Sequence, residues 1–433
     1  MSPMQAMQKE AVCSVVIPVF NEEKTIAQAL IHLSQQRRAS TDLLLEKCLF
    51  EIIVVDNNST DQTISKVKQF ISEHPEMTII VISESRQGVA WTRKTGIELA
   101  VARSKTRDQS YQLMDRLFYI FSSDADCYVD QYWIDEQLKM LSSSQAALSV
   151  CHYYYPMDHF SDRPNLAKVI NLILKARDIT MRIFGGFPDG KGFAVLREKY
   201  EKINGIEIFY QLTQGKFVCH LSDDWDFGIK IRAIGEEIVY CPNAKVHTNP
   251  RRVDHALNEM IQGIAYGQNG IITMRDIRPN KEITQSDLSL SEAKLLFDYS
   301  IKDFTTKHII LPILLTPAFL KQKAVIDFLS PALCEKLAQR ISEITEQMRM
   351  KDFTPIHTYK TPCFRLYFEF KDILFERMRL SIDPEIGMPP VLPNCLEQVL
   401  KKQPECYQDY VYYYCEDRES GEAHNYFGNG GVF

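Results

Sequence analysis

The chain has 433 residues, 45% hydrophobic and 24% charged, with 50 basic against 56 acidic side chains. That length exceeds one ordinary core, the composition is globular, and a net charge of −6 gives no general footprint for nucleic acid. Eleven cysteines without a CxxC pair indicate neither a zinc framework nor a redox motif and read as reduced thiols. The opening Met1 to Glu10 lacks the basic, apolar and small-residue order of a signal peptide. Ile309 to Leu320, the longest apolar run of the C-terminal half, contains two prolines and is too short to span a bilayer. A cytoplasmic protein is expected, with peripheral membrane contact and oligomeric state left open.

Val12 to Val19 is an apolar, β-branched run that predicts a central strand ending in Pro18-Val19-Phe20-Asn21. Asn21 suits a helix N-cap, with Glu22 and Glu23 in a first turn where carboxylates complement the helix dipole. The pattern then repeats. Phe50 to Val55 predicts a second buried strand, stopped by Asp56-Asn57-Asn58. Ser59 and Gln62 have the spacing of a capping box ahead of Ile64, Val67 and Ile71 on one helical face. Met77 to Ile82 predicts a third strand, and Gly88 to about Arg103 a third helix. Leu117 to Cys127 reads as a buried strand that stops at two aspartates one residue apart. In extended backbone Asp124 and Asp126 lean to the same side past Ala125 and can share one hard cation, although a lone Asp-x-Asp is most often only a polar turn.

Strand, polar turn and helix in repetition predict an α/β fold with a mostly parallel sheet, whose ligands sit beyond the carboxyl ends of the strands. That rule brings Asn21, Glu22, Asp56, Asp124 and Asp126 to one rim. There is no GxGxxG after the first strand and no GxxxxGK[ST], which argues against a Rossmann dehydrogenase or a P-loop kinase. A helix from about Asp130 to Leu141 and a strand from Ala146 to Tyr155 follow. Leu166 to Phe184 is amphipathic, with Leu166, Ile170, Ile173, Leu174 and Met181 on one stripe, and stops at Gly185-Gly186. Gly190-Lys191-Gly192 leads into a short strand, Phe193 to Leu196. Glycines there signal either close approach to the backbone or plain turn chemistry, and the turn is the simpler reading. Ser222 is the expected N-cap of a helix with Phe227, Ile231 and Ile234 on its buried face, so that Asp223 and Asp224 lie at its positive end. A strand from Glu237 to Tyr240 leads on through Pro242 to His247.

Taken in order, these motifs resemble those of the inverting family 2 glycosyltransferases, which have the GT-A fold and use nucleotide-activated sugars. The resemblance covers about residues 12 to 255. Val15-Val16-Ile17-Pro18-Val19-Phe20-Asn21-Glu22 is similar to the family's opening strand and turn, and Val54-Val55-Asp56-Asn57-Asn58-Ser59-Thr60-Asp61 to its base-recognising segment. Gly88 to Gly96 resembles the segment that closes over the nucleotide, and Asp124-Ala125-Asp126 its DxD. Asp223-Asp224 resembles the acidic pair that supplies the base, and Pro242 to His247 the strand ending in histidine. The resemblance implies an α/β GT-A fold, Rossmann-like, with a mostly parallel sheet flanked by helices. It implies that Pro18, Val19, Asn21 and Glu22 line the nucleoside, that Asp56 meets the imide edge of a uracil-like base, and that Arg93 lies near the nucleotide. Asp124, with Ala125 beside it, falls near the ribose, Asp126 on the metal, and His247 on the metal or diphosphate. Asp224 is the general base. Arg86 stands where the family usually has Asn, and Trp91-Thr92-Arg93-Lys94 replaces the more usual Ala-Arg-Asn. The Gln-x-x-Arg-Trp of processive synthases is absent after Gln262, which favours a single sugar addition.

The expected function is therefore a hexosyltransferase-type enzyme that moves one sugar from a nucleotide-diphosphate donor, UDP-sugar favoured, to an acceptor hydroxyl with inversion. Expelling a dianionic diphosphate through an oxocarbenium-like state requires its charge to be neutralised, and Mn²⁺ or Mg²⁺ suits oxygen ligands. Inversion requires a base on the opposite face. The rival readings are a retaining GT-A transferase, in which Asp224 is not the base, and a non-catalytic nucleotide-sugar-binding scaffold, which has no need of Asp224. The acceptor is not legible in the chain, and no nucleic-acid partner is expected.

Residues 1–255 are the expected glycosyltransferase domain and 256–433 a mostly helical C-terminal extension. Ala256 to Ile271, Leu288 to Tyr299, Ala324 to Met348 and Cys363 to Arg379 have helical spacing. A tyrosine-rich stretch from Tyr407 to Tyr414 precedes a Gly-rich end from Gly428.

Overall fold

The computed structural model describes residues 5–113, 116–208, 210–213, 216–219, 223–250, 253, 287–290, 293, 297, 305–348, 366, 369–370, 373–374, 376–378 and 380–382. The expected helix over Ala256 to Ile271, Ser222 as an N-cap, the tyrosines from Tyr407 and the Gly428 tail lie outside them, and the Leu288 and Cys363 helices fall inside only in part.

The chain divides into two compact units. The first comprises Met1–Tyr155, Phe187–Phe209 and Cys219–Asn249; the second comprises Pro156–Gly186, Tyr210–Val218 and Pro250–Phe433. The first is built on strands β1 (Cys13–Val19), β2 (Phe50–Asp56), β3 (Ile79–Ser83), β4 (Tyr119–Ser122), β5 (Cys127–Val129), β6 (Leu148–Tyr154), β7 (Phe193–Leu196) and β10 (Ile238–Thr248), with the short helix α6 (Arg197–Lys202) after β7. These strands form one sheet in the order β3-β2-β1-β4-β7-β6-β10-β5; β8 (Tyr210–Thr213) and β9 (Lys216–Cys219) pair in a separate two-stranded sheet. Apart from Asp56 at the end of β2, every residue of β1 and β2 is buried, without alternation, because layers cover both faces.

The sheet is mixed. β3, β2, β1 and β4 run parallel, as do β6 and β10, while β7 runs antiparallel to both β4 and β6, and β5 antiparallel to β10. The expected α/β sheet flanked by helices is present, and its parallel half is the half that the repeated strand-turn-helix pattern encodes. Helices α1 (Ile26–Ser34) and α2 (Thr63–Glu73) pack together. Helix α3 (Val89–Tyr111) lies across β1 and β2. A Cβ on Gly96 of α3 would stand 2.8 Å from Val55 Cγ2, so a side chain there would push the helix off the sheet. Helix α4 (Trp133–Ser144) covers β6 and β10. Its Trp133 is fully buried, edge-on to Phe121 at 5.1 Å; truncating such an indole costs about 3–5 kcal/mol.

Several local expectations change. The third helix runs on to Tyr111 and the last strand to Thr248, with an irregularity between Cys241 and Lys245. Helix α1 begins only at Ile26 with Thr25 before it, and Asn21 sits in a left-handed turn at φ 54°. Asn21 is therefore not the N-cap, and Glu22 and Glu23 precede the helix. Likewise α2 starts at Thr63, past Ser59. In both loops the side chains bind across to the neighbouring loop instead of capping their own helix.

The second unit contains α5 (Pro164–Phe184), which stops at Gly185 as expected. No side chain of its own caps the helix start; the Asp287 carboxylate instead accepts the amides of Asn165 and Leu166 at 2.9–3.1 Å. At the far end Phe184 stands edge-on to Phe319 at 5.6 Å. This unit also holds α8 (Leu311–Leu315), α9 (Lys323–Leu329) and α10 (Pro331–Met348). The helix expected from Ala324 to Met348 is thus broken at Ser330-Pro331. No helix among the described residues is long and apolar enough to cross a membrane.

Candidate active site

The carboxyl ends of β1 and β2 form the first half of the rim. Parallel register sets Pro18 beside Val55 and Val19 beside Asp56. Beyond them the two loops are laced together. Asn21 N donates to Ser59 Oγ at 3.0 Å, and Asn21 Oδ1 accepts the amide of Thr60 at 2.8 Å. Glu22 N donates to Thr63 Oγ1 at 2.7 Å, and the Glu22 carboxylate accepts the Thr25 hydroxyl. Asp56, half-buried, receives the Ser59 amide on Oδ1 at 3.1 Å.

The β3 loop closes on the same corner. Asn57 donates to the carbonyls of Glu84 and Arg86 and accepts the Gly88 amide at the start of α3. Glu84 is buried and takes two bonds from the Arg86 guanidinium and one from Thr95 Oγ1 at 2.6 Å. These donors, Arg86 first, hold its carboxyl down at about 2 despite the opposing effect of burial. Arg86 also stacks on Trp91 at 3.5 Å from the ring centroid. Glu84 was not foreseen as part of the rim; its role depends on partners brought in by Asn57 and α3.

The second half of the rim is the turn between β4 and β5. Arg93 of α3, 2% exposed, donates to Asp124 Oδ1 at 2.9 Å. Asp124 N bonds Gly190 O at 2.8 Å, and Ser123 Oγ donates to Lys191 O at 3.0 Å, so the glycine-flanked loop is seated on the Asp-Ala-Asp turn. A Cβ on Gly190 would lie 2.9 Å from Asp124 Cγ. Ala125 and Asp126 are each 2% exposed. The backbone carbonyl of Asp126 accepts Asn249 N at 3.2 Å, and the β5–β10 register pairs Tyr128 with His247. Asp126 thus stands opposite Asn249, two residues along the chain from His247. His247 lies between Tyr154, stacked at 5.5 Å, and Tyr128, edge-on at 5.8 Å. Burial, with His32 nearby, lowers its pKa, and its buried Nε2 has no hydrogen-bond partner among the described residues. Among those residues no three His, Cys, Asp or Glu side chains cluster as metal ligands.

Asp224 lies in the first turn of α7 (Asp223–Ala233), half-buried, with Oδ1 2.8 Å from Trp225 N. Trp225 stacks on Phe187 at 4.4 Å, and Gly228 packs against Phe187 and Pro188. The loop through Phe187, Pro188, Gly190 and Lys191 thus touches both the Asp224 helix and the Asp-Ala-Asp turn. Phe227 and Ile231 are buried as expected, whereas Ile234, past the end of the helix, is 41% exposed. The sequence-predicted residues fall into three groups: Pro18, Val19, Asn21, Glu22 and Asp56 together; Arg93, Asp124, Ala125, Asp126 and His247 together; and Asp224 joined to the second group through the intervening loop.

A β3-β2-β1-β4 parallel set with polar loops at its carboxyl ends, followed by a reversed strand, is the arrangement that the resemblance to GT-A transferases implies. Residues 14–203 match the profile of the family described as Glycosyl transferase family 2. A curated relative, the glycosyltransferase AglE of Haloferax volcanii, is 27% identical over 194 residues, 41% of this chain and 56% of AglE; the match spans little more than half of that relative. Among solved structures, the mannosyltransferase PcManGT of Pyrobaculum calidifontis, in complex with GDP-Man and Mn²⁺, is 16% identical with a TM-score of 0.39, covering 88% of this chain and 90% of its own. TarS 1–349 of S. aureus in complex with UDP-GlcNAc is 14% identical with a TM-score of 0.37, covering 77% and 91%.

Proposed function

We propose that the chain transfers a single sugar from a UDP-sugar to an acceptor hydroxyl with inversion, Asp224 acting as the general base. The observation that carries this reading is the gathering of Asp56, Asp124 and Asp126 at the carboxyl ends of β2 and β4 in a family 2 domain. Asp56 presents a carboxylate fixed on one oxygen by Ser59, suited to accept the imide N–H of uracil. The Arg93 contact holds Asp124 where it can accept a ribose hydroxyl. Asp224, half-buried at the helix start, accepts the proton of the acceptor hydroxyl as that oxygen bonds to the anomeric carbon.

The residues fit a divalent cation: Asp126 supplies a hard carboxylate, and His247, whose pKa burial lowers, has a buried Nε2 without a hydrogen-bond partner among the described residues. Mg²⁺ or Mn²⁺ needs only one or two protein ligands when phosphates and water supply the rest. When bound, such an ion neutralises charge on the departing diphosphate. A panel of UDP- and GDP-sugars, assayed for Mn²⁺-dependent hydrolysis and transfer with NMR of the product anomer, tests the reading. An inverted product from a UDP-sugar is expected; a retained anomer removes Asp224 from the role of base, and no turnover of any donor removes the enzyme reading.

A further inference from the structure

Lys191 has no place in the scheme above, yet it lies on the loop seated on the Asp-Ala-Asp turn. Its carbonyl takes the Ser123 hydroxyl, its amide bonds Asp189 Oδ1 at 3.1 Å, and the preceding Gly190 carbonyl takes the Asp124 amide. Both ends of the residue are therefore fixed relative to the turn. The side chain is half-buried, and its ammonium stands over the Tyr153 ring at 4.3 Å from the centroid. Among the described residues no hydrogen bond and no ion pair within 4 Å engages that ammonium. Burial pulls its pKa down, but electrostatic interaction with Tyr153, Asp189 and Tyr155 raises it more, so it stays protonated. The Cys127 thiol, next in sequence to Asp126, is among the groups that feel its charge.

A lysine in this state is unusual. A half-buried ammonium without a protein acceptor is only partly compensated by a single cation–π contact. The other cation of this half-rim, Arg93, donates to Asp124, which offsets its charge. The geometry points to Lys191 as a donor-binding residue whose ammonium contacts an oxygen of the diphosphate, Tyr153 holding it in place while the site is empty. This rests on the nucleotide-sugar reading and adds to it a protein cation for the leaving group, beside whatever metal Asp126 holds.

The test is calorimetric binding of UDP, GDP and uridine to the full chain, in Mn²⁺ and again in EDTA, for wild type, Lys191→Met and Lys191→Arg. Met suits the Tyr153 ring, and Arg keeps the charge, so the pair separates lost charge from lost fold. UDP affinity is expected to fall roughly ten- to hundredfold in Lys191→Met, the size of one charge-assisted hydrogen bond. It should stay within a fewfold of wild type in Lys191→Arg, with uridine affinity unchanged in both. The loss should be greater in EDTA. Unchanged UDP affinity in Lys191→Met overturns the assignment, as does an equal loss for uridine and UDP. A wild type that binds neither UDP nor GDP instead overturns the nucleotide-sugar reading, and this assignment with it.

Discussion

The two halves of the rim are built on opposite terms. At the ends of β1, β2 and β3 the polar groups satisfy one another: Asn21 with Ser59 and Thr60, Asn57 with Glu84, Arg86 and Gly88, and Glu84 with Arg86 and Thr95. This half is preorganised before any ligand arrives. At the β4–β5 turn Asp124 is tied to Arg93 and Gly190, while the buried His247 Nε2 has no hydrogen-bond partner among the described residues and the Lys191 ammonium stands over the Tyr153 ring. On the proposed reading the first half recognises the nucleoside and can be finished by the protein alone, whereas the second must leave groups available to the substrate's developing charge.

That contrast predicts where substitutions act on chemistry and where on stability. The largest effect is expected from Asp224→Asn. It removes the proposed proton acceptor but keeps the shape, so turnover should fall by about 10²–10⁴-fold with UDP affinity unchanged by calorimetry. Wild-type turnover in this variant would sink the base assignment. Next comes Asp126→Ala, expected to abolish the dependence of UDP affinity on Mn²⁺, a loss of roughly tenfold or more in Mn²⁺ buffer and none in EDTA. Equal wild-type affinity with and without Mn²⁺ would count against a metal at this residue.

Gly190→Ala probes the seam between the loop and the turn. Its Cβ would crowd Asp124 at 2.9 Å from Cγ, forcing the carboxylate away from Arg93. A loss of about 1–3 kcal/mol in urea unfolding is expected. In an Asp124→Ala background the same change should be nearly neutral, because the crowding partner is gone. Additive losses in the double variant would show that the seam does not depend on Asp124.

The sequence discloses the second half of the rim better than the first, for a physical reason. Leu117 to Cys127 announces itself locally: a run of apolar residues stops at two carboxylates, and only the strand end can hold them. Asn21 and Ser59 follow equally good local rules for helix caps, yet each is captured by the other's loop 38 residues away, and the helices start later without them. Local propensity yields to a nonlocal bond that satisfies two loops at once. Glu84 and Lys191 were illegible for the same reason. Glu84 reaches Thr95 on α3, and the ring beneath Lys191 belongs to β6. Gly190 and Gly192 did carry a signal of close backbone approach, and Asp124 is what approaches; plain turn chemistry is the wrong reading of Gly190.

The smallest effect sharpens the stitched half through its pH dependence. Glu84 titrates at about 2 in the folded chain against 4.5 when unperturbed, with Arg86 the largest cause. A depressed carboxylate pKa adds stability that is fully present above the unfolded value and fades as pH falls through the folded one. The window is therefore pH 4.5 down to 2. Glu84→Gln should lower stability at pH 7 by about 1 kcal/mol, since Arg86 is half exposed and solvent screens the pair. The difference between variant and wild type should shrink across that window and vanish near pH 2. Denaturant melts at pH 7, 4 and 2.5 measure it. A constant difference at all three would mean that Glu84 acts through packing and its neutral hydrogen bonds, and that charge does not hold this half of the rim together.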